Sequence, residues 1–543
     1  MEHTISTIIQ ELYGLEVKPI LTRPAPEFGD YATNSALQLA KQVGKNPREI
    51  AEEIAEKLRG NAEEVETVEV AGPGFLNIRI TPAEKFRLLK RQPAMGRVGQ
   101  STVIETNNPN PFKAMHIGHA MNAIVADTIA NLLAVDGAQP RRVSYHGDVG
   151  LHVGKSMFSL LNYANGDIQK ITAIAPEDRN AFMSKMYADG SKAYKEDEKA
   201  KEEINQLAQQ SFNPGDDLYG QVYELCKAWS FEQIDATVAR LGNMPTVARF
   251  LESLADPRGV KIVKDNTPDV FELSDGAYIF KGSDYGSFDN AFVSSNGRGL
   301  YAARDLGLME MKNELFHPDK SYIVTGTEQA QYFKGVIAAA GLVDASMKDQ
   351  TVNIPTGLVK LSTGKMSSRD GDVVEIGWLF NQFREAIIAR GGEPTDEIIA
   401  GALRYQFLRV KIGGDIVFDI TDAVSITGNT GSYLQYAHAR ARRILENAEG
   451  TIGALEVIHP EDEPLIRKLT EYTEVAEMAM RTLEPHHICN YLFELAQEFN
   501  RYYESNRVIG DEKEAHRLGL VAVYVDILKA GLAILGIHAP DKM

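Results

Sequence analysis

The sequence predicts an α/β protein with a small α/β segment at its N-terminus and a helical bundle at its C-terminus. From Thr102 onward, β-branched runs alternate with helical patterns, and the alternation recurs at SYIVTG and the helix that follows Gln331. Such alternation is typical of a parallel sheet with helices on its faces. After about Glu393, nearly every segment has helical periodicity. We therefore predict a Rossmann-type region at residues 100–395 and a helical domain at residues 396–543.

Residues 1–92 are predicted to form the separate N-terminal α/β segment, in the order helix, helix, strand, strand, helix. Asn46 and Pro47 are a cap and a first-turn proline that open one of the helices. The run VETVEVAGPGFLNIRI alternates around a Gly-Pro-Gly turn, which indicates two strands. Residues 92–100 have the composition of a linker.

An insertion of about residues 154–297 is expected within the Rossmann-type region. It contains a highly charged helix, SKAYKEDEKAKEEINQLAQQ, a second helix around Tyr219 to Leu241, and a hairpin-like run, VFELSDGAYIF. We interpret the charged run as a solvated helix face.

Composition limits the class of protein. The 543 residues exceed what one core usually holds, and no window is apolar enough to span a membrane. The N-terminus lacks the pattern of a signal peptide, so we expect a cytoplasmic protein. Cys226 and Cys489 lie far apart in sequence, which argues against a disulfide framework or a cysteine zinc site. The net charge of −18 argues against a generic polyanion binder, so any contact with RNA must be local.

The stretch TVIETNNPNPFKAMHIGHAMNAIVADTIANLLAVD predicts a strand, a loop and a helix. His116 and His119 share one face at the start of that helix, and Gly118 lets a ligand approach the backbone. Unpaired N–H groups at a helix start favour an anion, so we interpret this as a nucleotide-phosphate site. Two surface histidines or a zinc pair are the alternatives, but no HExxH motif or nearby cysteine supports zinc.

A second nucleotide element is predicted at Lys365-Met366-Ser367-Ser368-Arg369, in a polar loop after the strand-like run GLVKL. A lysine flanked by hydroxyl groups can follow the β- and γ-phosphates while charge builds on a leaving pyrophosphate. An ordinary polar turn is the alternative. The two elements, in this order, resemble the HIGH and KMSKS motifs of the class I aminoacyl-tRNA synthetases, with Ser368 where the second lysine usually stands.

Two acidic residues are candidates for selecting arginine. A guanidinium group offers planar paired donors and a permanent charge, so its pocket needs buried carboxylates. Glu105 ends the strand before the histidine motif, and Asp305 shares a predicted helix face with Tyr301. Asn110 is a candidate for the α-amino or carboxylate group of the substrate. A helix cap or surface acid is the alternative for either carboxylate.

Longer stretches resemble the arginyl-tRNA synthetases. They are ETNNPNPFKAMHIGHAMNAIVADTIANLL with SYHGDVGLHVGK, EFGDYATNSALQLAKQVGKNPREIAEEIAEKL, AGPGFLNIRI, LYAARDLG and GNTGSYLQYAHARARRIL, and they span almost the whole chain. Val149 replaces a usual tryptophan, His152 a usual glutamine, and Asn107-Asn108 more common residues before Pro109. These departures put the fine shape of the pocket in question.

The resemblance implies the roles of individual residues. It assigns catalytic roles to His116, His119 and Lys365. The residues that it assigns to arginine binding are Glu105, Asn110, Tyr301, Asp305 and Gln329. Those that it assigns to ATP binding are Pro109, Lys113, His116, Gly118, His119, Lys365, Met366, Ser367 and Ser368.

The resemblance also implies contacts with tRNA. It assigns the D-loop corner of tRNA to the N-terminal segment, where Phe75 and Asn77 fit a platform and hydrogen bonder for an exposed base. It assigns the anticodon stem and loop to the helical domain, where aromatic and basic side chains interleave as single-stranded RNA recognition requires. A core stripe is the alternative for the tyrosines. The residues are Tyr433, Tyr436, Arg440, Arg442 and Arg443.

The expected function is activation of L-arginine with ATP and transfer of arginine to the 3′-terminal adenosine of tRNA(Arg), with release of AMP and pyrophosphate. Mg²⁺ is expected with the nucleotide, no protein-bound metal is expected, and the protein is expected to be a monomer. A non-catalytic RNA-binding paralogue and a synthetase or nucleotidyltransferase for another substrate are the alternatives. The first should have lost the phosphate-site residues, which are present here.

Overall fold

The computed structural model describes residues 1–362 and 374–543. The chain divides into two compact units. Unit 1 comprises residues 1–93, 440–476 and 491–529, and unit 2 comprises residues 94–439, 477–490 and 530–543.

The N-terminal segment of unit 1 packs helices on an antiparallel sheet. The strand order is β1-β2-β4-β3, and the core is formed by apolar side chains that the helices and strands bury together. Asn46 caps α3 by accepting a hydrogen bond from the Arg48 backbone N–H, as predicted. The elements are α1 (Glu2–Tyr13), β1 (Leu21–Thr22), β2 (Tyr31–Thr33), α2 (Ser35–Val43), α3 (Pro47–Asn61), β3 (Val65–Ala71), β4 (Phe75–Ile80) and α4 (Pro82–Lys90).

The first part of unit 2 contains the predicted strand, loop and helix around the histidine motif, followed by a helical insertion. The elements are β5 (Ser101–Asn107), α5 (Ile117–Val135), β6 (Gln139–His146), α6 (Leu151–Ala164), α7 (Gln169–Thr172), α8 (Arg179–Glu196), α9 (Glu198–Gln210), α10 (Leu218–Arg240), β7 (Ala248–Leu251) and α11 (Glu252–Asp265).

The rest of unit 2 returns to the sheet and then becomes mainly helical. The elements are β8 (Glu272–Ser274), β9 (Ala277–Phe280), β10 (Asn290–Val293), α12 (Tyr301–Phe316), β11 (Lys320–Gly326), α13 (Ala330–Val343), α14 (Ala345–Gln350), β12 (Thr351–Thr356), β13 (Val359–Leu361), α15 (Ile376–Ala389), α16 (Asp396–Leu408), β14 (Ile416–Phe418) and α17 (Ile420–Ala423).

Helices dominate the remaining sequence, as the periodicity predicts. Helix α18 (Gly431–Asn447) begins in unit 2 and continues into unit 1, and the last helix ends in unit 2. The others are α19 (Glu463–Thr470), α20 (Tyr472–Thr482), α21 (His486–Ser505) and α22 (Glu514–Ile534).

Within the described residues, a five-stranded parallel sheet organises unit 2. Its order is β12-β11-β5-β6-β7, and each neighbouring pair is parallel. From β5 the chain builds the sheet in one direction through β6 and β7, then crosses to the other side to add β11 and β12. This makes a topological switch point between β5 and β11, where open α/β sheets bind ligands at the carboxyl ends of their strands.

Two features of the insertion differ from the sequence prediction. The charged run forms two helices, because the Asp197 side chain accepts hydrogen bonds from the Lys199 and Ala200 backbone N–H groups and starts α9. Strand β7 lies within the predicted insertion but joins the main sheet beside β6. Its four residues are too short a pattern to stand out in the sequence. The predicted hairpin is present as β8 and β9.

Unit 1 joins its N-terminal segment to helices from late in the chain. The Arg23 guanidinium donates to Glu474, at 2.7 Å, and stacks on the Tyr31 ring, whose hydroxyl also donates to Glu474. Lys85 pairs with Glu463. Within the described residues, no helix combines the length and the apolar character needed to cross a membrane.

Candidate active site

A cleft of about 470 Å³ lies at the carboxyl ends of β5 and β11 in unit 2. It brings together all five residues predicted to bind arginine, and one histidine of the motif. The predicted residues that line it are Glu105, Asn110, His119, Tyr301, Asp305 and Gln329.

Glu105 lies at the floor of the cleft as part of a buried ion pair. Its Oε1 lies 2.8 Å from the Nζ of Lys312, and both side chains are almost fully buried. Its Oε2 accepts a hydrogen bond from the Asn108 side chain at 2.6 Å. The carboxylate predicted to face the substrate therefore already has a cation and a hydrogen-bond donor.

Asp305 is the second predicted carboxylate, on the first turns of α12. It accepts a 2.5 Å hydrogen bond from the Tyr332 hydroxyl, and within the described residues it has no ion pair. Burial raises the pKa of Asp305 to about 7; the hydrogen bond from Tyr332 and the charge of Lys312 oppose this, whereas the charges of Glu105 and Glu252 add to it. Asp305 is therefore a half-buried acid without an ion-pair partner among the described residues.

Glu252 is a third acid in the cleft, and it is not among the residues predicted from the sequence. It begins α11, and its Oε2 lies 2.8 Å from the Arg304 Nη1, while Asp256 also pairs with Arg304 at 3.0 Å. Burial raises the pKa of Glu252, although the charge of Arg304 opposes this. No local motif marks Glu252, because its role depends on the packing of α11 against α12.

Two tyrosines also line the cleft without having been predicted. Tyr332 donates to Asp305, whereas the buried Tyr145 hydroxyl has no hydrogen-bond partner among the described residues. Burial and the charges of Asp305 and Glu252 raise the pKa of Tyr145 well above its usual value. A buried hydroxyl without a partner is costly, so this one indicates a site that a polar ligand completes.

The other predicted arginine-binding residues lie around the opening of the cleft. The Asn110 Oδ1 accepts a hydrogen bond from the Gly147 backbone N–H at 3.1 Å. Tyr301, at the start of α12, is 68% exposed. Gln329 follows β11 and also lines the cleft.

The two histidines of the motif form a stacked pair at the start of α5. Their ring centroids lie 3.6 Å apart, and the His116 backbone N–H donates to the His119 Nδ1 at 3.2 Å. Burial, together with the charge of Lys113, lowers the pKa of His116 to about 4 and that of His119 well below its usual value. Both imidazoles are therefore neutral near pH 7, and each can offer an N–H donor to an anion.

The loop before the histidines is held by backbone contacts. The Pro109 carbonyl accepts a 2.6 Å hydrogen bond from the Nδ1 of the buried His146. A Cβ on Gly118 would lie 3.2 Å from the His116 ring, which explains the need for glycine between the histidines. Burial lowers the pKa of Lys113; the charge of Glu252 opposes this, and the charge of Lys155 adds to it.

The predicted second nucleotide element lies outside the described residues. Lys365, Met366, Ser367 and Ser368 belong to the range 363–373. Strand β13, which precedes that range, pairs with β14 in parallel.

Two residues that depart from the family pattern, Val149 and His152, line a smaller cavity next to the cleft. Val149 is buried. The His152 Nε2 donates to the Gly147 carbonyl at 2.7 Å, and burial lowers the pKa of His152 to about 4. Because Gly147 also donates to Asn110, His152 supports the loop that holds a predicted arginine-binding residue.

The predicted tRNA-contacting residues differ in exposure. Phe75 is 41% exposed, and Asn77 is half-buried two residues later on the same face of β4. Tyr433 is only 8% exposed, so for this residue the structure favours the core alternative.

The other candidates on α18 are more accessible. Tyr436 and Arg442 are half-buried, and Arg443 is exposed. The half-buried Arg440 guanidinium lies 4.8 Å from the centroid of the Tyr503 ring.

One group of three potential metal ligands lies in unit 1, within the part of the chain that the structure describes. His459, Asp462 and His516 place their ligand atoms within 4.8 Å of one another. Asp462 already accepts hydrogen bonds from His516, at 2.8 Å, and from Tyr502, at 3.1 Å. Two imidazoles do not suit Mg²⁺, which prefers oxygen ligands, so this group is not a candidate for the expected Mg²⁺.

Comparison with known proteins identifies the family to which the chain belongs. Residues 87–395, more than half of the chain, match the family model "tRNA synthetases class I (R), catalytic domain". Unit 2 thus has the fold of a class I aminoacyl-tRNA synthetase. Residues 1–80 match "Arginyl tRNA synthetase N terminal domain", and residues 434–543 match "DALR anticodon binding domain". The chain belongs to the arginyl-tRNA synthetase family.

Individual relatives match this chain over nearly its whole length. The chain is 28% identical to an arginine–tRNA ligase of Clostridium perfringens, covering 98% of this chain and 97% of the relative. It is 29% identical to one of Lactococcus lactis, covering 100% and 99%.

Solved structures show the same fold. The arginyl-tRNA synthetase of Thermus thermophilus has a TM-score of 0.80 at 23% identity, covering 100% of this chain and 99% of that one. That of Plasmodium falciparum has a TM-score of 0.81 at 18% identity, covering 100% and 98%. These comparisons do not favour the non-catalytic paralogue.

Proposed function

We propose that this chain activates L-arginine with ATP and transfers the arginyl group to the 3′-terminal adenosine of tRNA(Arg), releasing AMP and pyrophosphate. The observation that carries the proposal is the charge arrangement of the cleft. Three carboxylates meet there, and Asp305 lacks a cationic partner among the described residues. A substrate with one fixed cationic tail would complete it.

The cleft suits a guanidinium group better than an ammonium group. The Glu105–Lys312 and Glu252–Arg304 pairs account for two of the acids, which leaves the charge of Asp305 for the substrate. The Tyr145 hydroxyl is available beside it. A planar group with five N–H donors can serve several such acceptors at once, whereas an ammonium group offers three donors from a point charge.

We assign nucleotide binding to the loop and helix start that carry the histidine motif. In the proposed first step, the arginine carboxylate attacks the α-phosphate of ATP, and pyrophosphate leaves. The neutral imidazoles of His116 and His119 donate hydrogen bonds to phosphate oxygens, and Lys113 adds a positive charge. Family membership implies Mg²⁺, which would shield charge on the phosphates of the nucleotide. Lys365, Met366, Ser367 and Ser368 remain proposed ATP ligands.

We assign tRNA contacts to exposed residues of the N-terminal segment and of α18. Phe75 and Asn77 support this on β4, and Arg440 and Arg443 support it on α18. We also propose that the protein acts as a monomer in the cytoplasm, where tRNA is charged for translation.

The test is a charging assay with total tRNA, ATP and Mg²⁺, with each of the twenty amino acids supplied in turn. Arginine alone should be attached, with formation of AMP and pyrophosphate. Equal charging with lysine or glutamine would refute the proposed specificity. Absence of charging with every amino acid, despite binding of tRNA, would instead support the non-catalytic alternative.

A further inference from the structure

A second cavity, of about 360 Å³, lies beside the 470 Å³ cleft that we propose binds arginine, hereafter the arginine cleft. The two share Asn110 and Tyr301. It is lined at one side by Lys113, from the loop before the histidines, and at another by Lys155, from α6. Lys155 has no assigned role in the proposed reaction. It nevertheless lines the same cavity as Lys113, to which we assign a role in ATP binding.

The two lysines give this cavity a positive charge, which the charge of Glu252 in the neighbouring cleft offsets in part at Lys113. Neither Lys113 nor Lys155 has an acidic group within 4.0 Å in residues 1–362 and 374–543. Arg304 also lines the cavity, but Glu252 and Asp256 pair with it. Burial lowers the pKa of each lysine, as expected for ammonium groups withdrawn from water without a counter-ion.

Backbone groups add to this preference for an anion. Gly150, Leu151 and His152, at the start of α6, line the cavity. The Gly150 N–H already donates to the Ser211 Oγ at 2.9 Å. The next N–H groups of this 14-residue helix have no partner within the helix, and they carry the positive end of its dipole. A helix start with two unpaired lysines is a common form of phosphate site.

The position of Lys155 is fixed by its surroundings. Gly190 lets α8 pass so close to α6 that a Cβ there would overlap the Lys155 carbonyl. The Lys155 ammonium group lies 5.0 Å from the centroid of the Tyr194 ring, also on α8. The lysine is therefore held at the cavity by the helix crossing, unlike a lysine on an open surface.

We propose that Lys155, together with Lys113 and the start of α6, binds a phosphate group at the edge of the arginine cleft. This inference rests on the proposed function, because that reaction brings two sources of phosphate to the cleft. One is the triphosphate of ATP, and the other is the phosphodiester that precedes the terminal adenosine of tRNA. Both present the same anionic oxygens to the lysines.

Equilibrium binding to the full-length protein distinguishes the two sources. The protein variants are Lys155→Gln, the conservative Lys155→Arg, and the control Lys192→Gln on the exposed side of α8. The ligands are ATP without tRNA, intact tRNA(Arg), and tRNA(Arg) that lacks its terminal adenosine and the phosphate before it. Thermal unfolding of each variant verifies that it is folded.

Lys155→Gln should weaken the binding of one ligand by about five- to tenfold, because one charge-assisted hydrogen bond is lost at a partly solvated site. Lys155→Arg should keep most of the wild-type affinity for that ligand, and Lys192→Gln should leave the affinity unchanged. A loss for ATP identifies the triphosphate. A loss for intact but not for shortened tRNA identifies the terminal phosphodiester. The slope of the logarithm of tRNA affinity against the logarithm of salt concentration should then fall by about one phosphate contact.

The inference is overturned if Lys155→Gln binds all three ligands as the wild type does. It is also overturned if the variant loses affinity equally for intact and shortened tRNA, or if Lys155→Arg is as weak as Lys155→Gln. Failure of the proposed function has a different signature, because the wild-type protein would then bind neither ATP nor arginine.

Discussion

Three carboxylates meet at the cleft that we propose binds arginine, and two of them already have a cation. Glu105 pairs with Lys312 and Glu252 with Arg304, while Asp305 accepts a hydrogen bond from a tyrosine. Asp305 is thus the acid of the cleft that has no ion-pair partner among the described residues. Its ionised form would have a guanidinium group as its partner, so binding arginine avoids leaving that charge unpaired.

The raised pKa of Asp305 predicts that arginine binding depends on pH. Asp305 faces Glu105, Glu252, Lys312 and Tyr332, and its pKa in the free cleft is about 7. Below that pH the carboxyl group is protonated and cannot pair with a guanidinium group. The dissociation constant of arginine, measured by calorimetry from pH 5.5 to 8.5, should be level at high pH and rise by up to about tenfold per pH unit below 7.

The control for this experiment is Asp305→Asn, which should bind arginine weakly and with a flat pH profile. His119 should not contribute in this range, because its pKa lies well below its usual value. An unchanged pH dependence in the variant would show that another group titrates.

The buried pair of Lys312 and Glu105 gives a prediction about both stability and binding. Lys312→Met leaves the Glu105 carboxylate buried without its cation, which should reduce the free energy of unfolding by about 3–5 kcal/mol. Because the unpaired carboxylate makes the cleft more negative, the KM for arginine should fall. Urea unfolding and amino acid titration in the charging assay measure the two effects.

The double variant Lys312→Met/Glu105→Gln separates these effects. It should recover much of the stability, since no charge is left unpaired, but its KM for arginine should exceed that of the wild type, because a carboxylate is lost from the cleft. If the double variant binds arginine normally, Glu105 has no role in recognition.

At the scale of single residues, the sequence pointed to Glu105, Asp305, Tyr301 and the two histidines through motif order and charge logic. It could not point to Lys312 or Glu252. Lys312 is 207 positions away from its partner, and such a pairing leaves no local pattern.

At the scale of elements, long periodic segments were predictable and short ones were not. Helices α5 and α16 and the last helices follow from apolar periodicity, and Asn46 marks the start of α3. Strand β7 was missed because four residues give little periodicity. The charged run was predicted as one helix because Asp197 stands among other charged residues, so its role as a helix cap gives no distinct pattern.

The crossing of α11 and α12 gives an element-scale prediction. A Cβ on Gly259 would overlap the Ala303 carbonyl, and one on Gly307 would overlap the Ala255 carbonyl. These helices carry Glu252 and Asp305, so their separation sets the width of the cleft. Gly259→Ala should cost about 1–3 kcal/mol of stability and weaken arginine binding. Thermal unfolding and calorimetry measure these effects.

Gly377→Ala is the matched control, because a Cβ there would meet nothing within 4 Å. It should leave arginine binding unchanged. Equal effects of both substitutions on arginine binding would show that the close crossing does not set the cleft.

At the scale of the whole molecule, long-range polar contacts hold together distant parts of unit 2. Arg404 is fully buried on α16 and donates to Asp127 on α5 at 2.9 Å, to the Leu241 carbonyl at 3.0 Å, and to the Leu535 carbonyl at 2.8 Å. These acceptors come from three separate parts of the sequence. One side chain therefore joins four segments.

Arg404→Met should destabilise unit 2 by about 3–5 kcal/mol, because it leaves several buried acceptors without a donor. Urea unfolding followed by tryptophan fluorescence measures this effect. The control is Arg390→Met, which removes one contact from an exposed side chain and should change stability by less than about 0.5 kcal/mol. Similar losses for both variants would contradict the proposed role of Arg404.

The sequence predicted the type of fold along the chain, but it could not predict which segments share a core. The Tyr31 hydroxyl reaches Glu474, 443 positions later, and Lys85 reaches Glu463. Alternating patterns report how each segment folds locally. They carry no information about a partner so far away.

The composition of unit 1 has a consequence for biosynthesis. Its first 93 residues leave the ribosome roughly 350 residues before the helices that complete the unit. At about 5–20 residues per second, the delay is roughly 20–70 s. During that time Arg23, Tyr31 and Lys85 have no partner from the later helices, so the nascent chain offers this surface to chaperones until translation is nearly finished.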